Sequence, residues 1–401
     1  MSAWLTIIGI GDDGVDNLPP VSRTLLDAAD LIVGSRRSLA RDDFGGRDTL
    51  IWASPLNDTI ESLQKLKDQN VVILATGDPM HFGIAATLLK TFDRDEISVI
   101  PAPSAFSLAA ARMGWPLQHI ETLSLHGRPV SLLQPFVQPG ARLLALTGGN
   151  DSIHDAAALL CERGFGDSVL TVLEHMGGPG ERIISLEASK CEGQDFAGFN
   201  TLAIQCIASP GAQILPRVPG LPDEAFQHDG QLTKREIRSV TLSALGPTPG
   251  ATLWDVGAGC GSVAIEWMRA CPHTQAIAFE KNEDRISMIA RNAVALGAPG
   301  LDIVQGDAEQ TLNGNDAPSA VFLGGAVTNE TVFATCWNVL PTGGRLVANA
   351  VTLEGEAALI ARHAQHGGEL VRMEISHAGP VGTRQAFRPR MAVTQWRGVK
   401  E

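Results

Sequence analysis

The sequence predicts an α/β protein whose second half forms a mostly parallel, seven-stranded sheet with helices on its faces. Three observations lead to this fold class. The 401 residues exceed what one hydrophobic core usually holds, strand and helix patterns alternate from residue 229 onward, and a glycine-rich turn follows an apolar run in each half. We expect one domain at residues 1–207, containing two sheets, and another at residues 229–401. Residues 208–228, rich in Pro and Gly, would be the linker.

The composition narrows the class of partner. Hydrophobic residues make up 44% of the chain and charged residues 19%, which is typical of globular domains, and the net charge of -13 disfavours nucleic acid and anionic membranes as partners. The six cysteines show no paired spacing, so we expect neither disulfides nor a metal site. The apolar run near the start is too short for a signal or membrane segment. We therefore predict a cytoplasmic protein.

The first glycine turn, residues 9–14, matches the GxGxxG pattern of dinucleotide sites, but its surroundings do not support that function. The pattern needs a helix opening at the last glycine and an acid after the second strand. Here Pro19 and Pro20 delay the helix, and the second strand runs into Gly34 and Ser35 without a carboxylate. A nicotinamide site in this half is therefore disfavoured.

Two later loops of the first half outline a binding cleft. Gly77, Asp78 and Pro79 follow a strand at residues 71–75, and Ser104 follows another strand and can cap the helix that comes next. In α/β sheets, ligands bind at the carboxyl ends of strands. His126, in a later turn, is a catalytic candidate, although a lone histidine is more often structural.

The second glycine turn, residues 255–261, has the order strand, turn, helix. Asp255 ends the strand, and Gly257, Gly259 and Gly261 allow sharp turning and close approach of a ligand. Glu280 ends the next strand, where a carboxylate can accept both ribose hydroxyls. Asp307, followed by Ala308, ends the third strand and can accept a hydrogen bond from an adenine amino group. Together these residues fit S-adenosylmethionine better than a dinucleotide, with a nicotinamide-dependent dehydrogenase as the alternative.

The fourth strand of this half ends at Gly324 and Gly325, where many amino-directed methyltransferases carry Asn or Asp followed by prolines. We therefore disfavour a nitrogen acceptor. The two glycines leave room for a broad, flat substrate, or they form a tight turn. Upstream, Thr233 and Glu236 have the spacing of a capping box.

Several motifs taken together resemble those of a known family. They are Gly9-Ile10-Gly11, residues 76–79, Pro103-Ser104, residues 109–114, residues 124–128, residues 232–238 and residues 255–261. Their order and combination resemble the two-domain precorrin-6Y methyltransferases (decarboxylating) of the cobalamin pathway, whose halves also occur as the separate proteins CbiE and CbiT. The resemblance covers nearly the whole chain. It implies a tetrapyrrole methylase (class III) fold of two α/β subdomains, followed by a Rossmann-like class I methyltransferase.

The resemblance also implies a reaction. A reduced precorrin, precorrin-6B, would be methylated at carbon 5 by the first half and at carbon 15 by the second, with loss of carbon dioxide from the ring C acetate to give precorrin-8X. Each half would use one S-adenosylmethionine, and the protein would form a homo-oligomer. The competing hypotheses are an oxidoreductase using either glycine turn, and an enzyme with one active half whose other half only binds or assembles.

The implied site residues fall into three groups. Cofactor residues would be Gly77, Asp78, Pro79 and Ser104 in the first half, and the glycine turn with Glu280, Asp307 and Ala308 in the second. Substrate residues would be Gly9, Gly11, Asp12, Arg128, Gly324, Gly325, Arg384 and Arg388. Lys234, Arg238 and His126 are the catalytic candidates. We expect Lys234, Arg238, Arg384, Arg388 or Arg390 to hold peripheral carboxylates. The alternative for each of them is a solvated surface charge.

Overall fold

The structure, a computed structural model, describes residues 3–401 and divides into two compact units. The first unit runs to Val130 and includes Pro139–Gln213, whereas the second consists of Ser131–Gln138 and Ile214–Glu401. The stretch predicted as a linker is thus shared between the units, with the change at residue 214. Among the helices of these described residues, none is long and apolar enough to cross a bilayer.

The first sheet of the first unit is parallel, in the order β3-β2-β4-β1-β5. Its strands are β1 (Leu5–Ile10), β2 (Leu31–Gly34), β3 (Asp48–Ile51), β4 (Val71–Thr76) and β5 (Ile97–Ile100). The accompanying helices are α1 (Pro20–Asp27), α2 (Arg36–Arg41), α3 (Leu56–Leu63) and α4 (Ile84–Leu88). All six residues of β1 are buried, because this apolar strand lies between β4 and β5.

The second sheet has the order β6-β7-β10-β8-β9 and is antiparallel except for the pair β6 and β7. Its strands are β6 (Glu121–Ser124), β7 (Arg142–Leu146), β8 (Val169–Glu174), β9 (Arg182–Glu187) and β10 (Asn200–Gln205). Helices α5 (Ala105–Met113) and α6 (Asn150–Glu162) accompany it. The predicted cap of α5 is confirmed, since the Ser104 side chain accepts a hydrogen bond from the Ser107 amide at 3.1 Å. Two sheets in this half confirm the predicted pair of subdomains.

The second unit contains the predicted seven-stranded sheet, in the order β13-β12-β11-β14-β15-β19-β16. Its strands are β11 (Thr252–Val256), β12 (Gln275–Glu280), β13 (Asp302–Gln305), β14 (Ala320–Leu323), β15 (Arg345–Ala350), β16 (Glu369–Met373) and β19 (Val393–Val399). Its helices are α7 (Arg235–Leu245), α8 (Ser262–Ala270), α9 (Glu283–Leu296), α10 (Ala308–Thr311), α11 (Glu330–Val339) and α12 (Leu353–His366). The last strand is antiparallel to both neighbours, as predicted from the missing helix before it.

A hairpin that sequence reasoning missed precedes β19. Strands β17 (Ser376–Val381) and β18 (Arg384–Pro389) pair with each other, and nearly all of their residues are exposed. The hairpin carries Phe387, of which 77% is exposed. The predicted homo-oligomer stays a prediction, and this apolar side chain marks a surface on which to look for it.

The chain from residue 214 onward is built into the core of the second unit. Leu215, Leu221 and Phe226 are buried in the same cluster as the residues beneath the sheet. The Glu266 carboxylate accepts hydrogen bonds from the amides of Gly220 and Leu221 at 2.5 and 2.9 Å. Because Pro and Gly here serve tight packing and turns, their abundance does not indicate flexibility.

Helix α7 begins one residue later than the predicted capping box requires. Its N-cap is Lys234, without a side-chain hydrogen bond to the helix, so the expected cap by Thr233 with Glu236 is wrong. The carbonyl oxygen of Thr233 instead accepts a hydrogen bond from Arg238 at 2.6 Å. This start places Lys234 at the edge of the pocket described below.

Candidate functional site

The first unit contains a cavity of about 470 Å³ where β1 and β4 end. It is lined by seven of the residues predicted for this half: Gly11, Asp12, Gly77, Asp78, Ser104, His126 and Arg128. Two others, Gly9 and Pro79, are not among the lining residues. Gly77 has a φ of +67° and donates its amide hydrogen to the carbonyl of Ile10 at 2.8 Å. The turn after β4 is therefore fixed against the end of β1.

Gly9 has a structural role that differs from the predicted contact with substrate. It lies inside β1 and is buried. A Cβ at this position would overlap the carbonyl oxygen of Gly77 and the amide nitrogen of Ala102. Glycine is required here because two neighbouring loops approach the strand closely.

Aromatic side chains, none of them predicted, form one wall of the first cavity. His81 stacks on Phe82 with ring centroids 5.4 Å apart and packs against Phe106 at 4.6 Å. The Arg128 guanidinium lies 5.7 Å from the Phe82 ring centroid. Phe82 is 46% exposed and has a φ of +55°, which is rare for an aromatic residue. An exposed ring beside a cation suits a flat, anionic ligand.

A charged cluster lies on the other side of the same cavity. The Asp12 carboxylate accepts a hydrogen bond from Arg37 Nη1 at 2.5 Å and lies 3.0 Å from His175 Nδ1. Arg41 Nη1 donates to the Asp12 backbone carbonyl at 2.8 Å. Of these partners, sequence reasoning identified only Asp12. No local pattern in the sequence indicates His175, because it follows β8, whose pairs with β10 and β9 are antiparallel.

The second unit contains a cavity of about 400 Å³ above the ends of β11 and β14. Five predicted residues line it, namely Lys234, Gly257, Gly259, Gly324 and Arg390. Gly257 has a φ of +75°, and a Cβ there would come within 3.0 Å of the Gly325 amide nitrogen. Two glycine turns thus meet across the cavity, which leaves space beside the backbone for a ligand.

The acids predicted to bind this cofactor lie behind the glycine turn. Glu280 accepts hydrogen bonds from the amides of Gly259, Lys281 and Asn282 at 2.9, 3.0 and 3.0 Å. Asp307 caps α10 by accepting from the Glu309 amide at 3.1 Å. Gly261, Glu280, Asp307, Ala308 and Gly325 are not among the residues lining the cavity. Their predicted contacts with a cofactor stay predictions.

Asp255 is completely buried under the turn. Its Oδ2 atom accepts a hydrogen bond from the Ala264 amide at 3.0 Å, whereas its Oδ1 atom has no partner among the described residues. Burial raises the pKa of the Asp255 carboxyl to about 7. The hydrogen bond from Ala264 acts against this shift, and the negative charge of Glu280 adds to it. Asp255 therefore holds the start of α8 at the cost of an unsatisfied oxygen.

This burial predicts a pH dependence of stability. An unfolded aspartate ionises near pH 4, so between about pH 4 and 7 the folded state holds a proton that the unfolded state has lost. The contribution of Asp255 to the free energy of unfolding must then fall as pH rises through this window. We expect the free energy of unfolding in urea to fall by roughly 2–3 kcal/mol between pH 5 and 7. This fall should be absent in Asp255→Asn. The exposed control Asp302→Asn should keep this pH dependence. If the free energy of unfolding changed equally with pH in Asp255→Asn and Asp302→Asn, the pH dependence would not come from Asp255.

Of the cations predicted to bind substrate carboxylates, some line the second cavity and others lie outside it. Lys234 and Arg390 line the second cavity, and among the described residues the Arg390 side chain has no ion pair or hydrogen bond. Arg384 and Arg388 lie on the exposed hairpin and do not line this cavity. Arg388 donates a hydrogen bond to the carbonyl of Pro380. Sequence reasoning cannot make this separation, because all of these arginines lie within seven residues of one another.

Arg238 is a correction. It was predicted to be a catalytic candidate or to bind a peripheral carboxylate of the substrate, but its side chain has no exposed surface. Its guanidinium donates to Glu266 at 2.7 Å, to Asp223 at 3.2 Å and to the backbone carbonyls of Thr233 and Leu221. All of its hydrogen-bonding capacity is directed to the protein interior, so it holds the segment before α7.

A polar network missed by sequence reasoning supports one wall of the second cavity. Asn349 lines the cavity and donates through Nδ2 to the Thr241 hydroxyl at 3.0 Å. Gln395 donates to Asn349 Oδ1 at 2.8 Å and to the same hydroxyl at 3.0 Å. Thr241 and Gln395 are fully buried. The Asn349 amide is therefore fixed in orientation.

Comparisons with known proteins match both halves of the chain. Residues 4–191 match a family model described as tetrapyrrole (corrin/porphyrin) methylases, and residues 224–400 match one described as a precorrin methyltransferase domain. A precorrin-6Y C(5,15)-methyltransferase (decarboxylating) of Sinorhizobium sp. is 44% identical over 402 residues, which cover 100% of this chain and 97% of the relative.

Two shorter relatives resemble parts of the chain. A cobalt-precorrin-7 C(5)-methyltransferase of Salmonella typhimurium (strain LT2) is 27% identical over 185 residues, or 46% of this chain and 91% of the relative. A probable cobalt-precorrin-6B C(15)-methyltransferase (decarboxylating) of Saccharolobus solfataricus is 30% identical over 143 residues, or 34% of this chain and 72% of the relative.

Proposed function

Because this chain belongs to the family of decarboxylating precorrin-6Y C5,15-methyltransferases, it is an S-adenosylmethionine-dependent methyltransferase of cobalamin biosynthesis, and we propose that each unit carries one methyl-transfer site. The first unit would methylate carbon 5 of the precorrin. The second would methylate carbon 15 and release carbon dioxide from the ring C acetate. The observation that carries the proposal is the match of two different methylase models to the two halves, each with its own cavity at strand ends.

The residues present fit the cofactor. When bound, S-adenosylmethionine supplies an electrophilic methyl group on a positively charged sulfur. In the second unit, Gly257 and Gly259 leave space beside the backbone that a Cβ would narrow. In the first unit, the turn at Gly77 and Asp78, with the buried Ser104, lies at the cavity in the same way. A sulfonium needs no anion-binding loop, which agrees with the Glu280 carboxylate behind the turn of the second unit.

The chain's own contribution in the second unit is positioning and exclusion of water. Lys234, Arg285 and Arg390 line the cavity and outnumber its one acidic side chain, Glu236. We assign Arg390 to a peripheral carboxylate, because its guanidinium is not engaged elsewhere among the described residues and can pair bidentately. Met391 and Phe322 supply apolar surface for the macrocycle.

The cofactor assignment makes a prediction about stoichiometry. Gly257 and Gly250 both have positive φ, of 75° and 77°, but only at Gly257 would a Cβ meet another loop. Isothermal titration with S-adenosylhomocysteine should give two sites in the wild type. Gly257→Ala should weaken one of them about tenfold or more, or about 1.4 kcal/mol, whereas Gly250→Ala should keep both. Loss of both sites together, or no change in Gly257→Ala, would contradict one site per unit.

The proposed function is tested on the full chain with a reduced precorrin and labelled S-adenosylmethionine. Mass analysis should show two added methyl groups and the loss of one carbon dioxide per macrocycle. The same protein titrated with nicotinamide dinucleotides should show no binding. Binding of a dinucleotide without methyl transfer would favour the oxidoreductase alternative and end this proposal.

A further inference from the structure

Asp12 and His175 form a hydrogen-bonded pair at the wall of the first cavity. We propose that His175 accepts the proton that carbon 5 must lose during methylation in the first unit, and that Asp12 orients its ring. This inference rests on the proposed function, since it assigns a residue to the first of the two methyl transfers.

The backbone of His175 is held in an unusual conformation. Its φ is +48°, in the left-handed region that non-glycine residues rarely adopt. The residue directly follows β8, and its amide donates to the carbonyl of Phe199 at 3.2 Å. This conformation places the imidazole at the wall of the cavity, within reach of Asp12 from a distant part of the chain. Strain that persists at a cavity wall points to function.

The hydrogen bond to Asp12 selects one tautomer of His175. An ionised carboxylate can only accept, so the proton of the neutral ring lies on Nδ1 and the lone pair lies on Nε2. Among the described residues, Nε2 has no hydrogen-bond partner. The side chain is 35% exposed, so Nε2 can exchange a proton with solvent after each turnover. These are the properties required of a general base.

The cations around the pair contact one oxygen of Asp12 and leave the other, Oδ2, facing the His175 ring. Arg37 donates to Asp12 Oδ1, while the Arg37 guanidinium also stacks 3.4 Å from the Phe199 ring centroid. Arg41 Nη1 lies 3.8 Å from the same carboxylate oxygen. Glu174, the neighbour of His175, is engaged by Arg182 through two hydrogen bonds of 2.6 and 3.0 Å. The carboxylate bonded directly to His175 is therefore that of Asp12.

The other ionisable groups of the cavity wall are less suited to this task. His126 Nδ1 lies 3.2 Å from the carbonyl of Thr147, and His81 packs between two phenylalanine rings. Neither has a carboxylate partner among the described residues. Asp78 accepts from the amide of Met80 at 2.9 Å, and Arg128 cannot act as a base at ordinary pH.

The proposed step balances atoms and electrons. The electron pair of the enamine-like carbon 5 forms the new bond to the methyl group, and the electrons of the broken bond stay on the donor sulfur. Carbon 5 then carries both a methyl group and its original hydrogen, and the macrocycle is cationic. When the C–H bond breaks, its electrons restore the conjugated system and the proton passes to Nε2. The resulting imidazolium lies against the Asp12 carboxylate, which stabilises it.

The test is the full chain with His175→Gly, because glycine tolerates the left-handed backbone and leaves space for added imidazole. We expect the kcat for the carbon 5 methylation to fall about 10²–10³-fold, with KM changed less than about threefold. The product should carry one methyl group fewer than that of the wild type and still lose carbon dioxide. Imidazole in the buffer should raise the rate of the variant at least about tenfold. The increase should be larger at pH values where imidazole is neutral.

Two controls separate a proton acceptor from a structural residue. His119→Gln removes an exposed histidine of the same unit and should match the wild type, and Asp12→Asn should lower kcat without imidazole rescue, because its base is present but misoriented. A kcat within about threefold of the wild type in His175→Gly, or a loss that imidazole does not restore in protein that still binds S-adenosylhomocysteine, overturns the inference. If the wild-type protein transferred no methyl group, the proposed function itself would be wrong, rather than the role of His175.

Discussion

Replacement of Gly9 with alanine should destabilise the first unit by roughly 3 kcal/mol or more. The added Cβ would overlap backbone atoms of Gly77 and Ala102, and backbone at a strand end cannot move aside as a flexible side chain can. Because β1 is the strand between β4 and β5, the damage reaches both neighbours. Hydrogen exchange of residues 5–10 and 71–76, followed against denaturant, would report the loss in this unit alone.

Gly11→Ala is the matched control for Gly9→Ala. It lies just after the end of β1, and its Cβ would meet the side chain of Asp13, which can rotate away. We expect a cost of less than about 1 kcal/mol. Equal destabilisation by the two substitutions would show that the close approach of the loops at Gly9 is not what requires glycine there.

Arg238→Leu should cost about 3–5 kcal/mol in the stability of the second unit, although Arg238 contacts no cavity. The substitution leaves the buried Glu266 carboxylate without its cationic partner, and it removes donors from the carbonyls of Thr233 and Leu221. Urea unfolding of the full chain, with hydrogen exchange in α7 and α8, measures the effect. S-adenosylhomocysteine affinity extrapolated to fully folded protein should stay the same.

Two variants sharpen the Arg238 prediction. Arg235→Leu changes an exposed arginine of the same helix and should cost less than about 0.5 kcal/mol. Arg238→Leu combined with Glu266→Gln should recover part of the loss, since no buried charge is then left unpaired. A loss below about 1 kcal/mol in Arg238→Leu would return this residue to the candidates for substrate binding.

Local patterns allowed most of the second unit to be predicted. The turn after β11, the strand ending at Glu280 and the antiparallel last strand all follow from short-range signals in the sequence. The hairpin before β19 was missed because its strands are exposed on both faces and therefore lack an alternating apolar pattern. The sequence did not show that Arg384 and Arg388 lie on this exposed hairpin, and their contact with substrate stays a prediction.

The contacts that sequence reasoning missed join residues far apart in the chain. Arg238 pairs with Glu266, 28 positions away, and Asp12 meets His175, 163 positions away. Neither spacing has a helical or strand period, so no pattern in the sequence indicates the contact. Gly9 was assigned to substrate because its motif suggested a ligand, whereas the backbone atoms that exclude a Cβ come from two other loops.

The eight residues Ser131–Gln138 belong to the second unit, although the ribosome makes them long before the rest of it. Leu133 and Val137 are fully buried there, and Gln138 donates to the carbonyl of Leu215 at 2.7 Å. During synthesis these apolar side chains emerge at least 76 residues ahead of residue 214, the first residue of their main partner segment. The nascent chain must therefore keep this segment unpaired while the first unit closes around the residues on either side of it. The second unit therefore needs a segment that is synthesised early as well as the segment that is synthesised last.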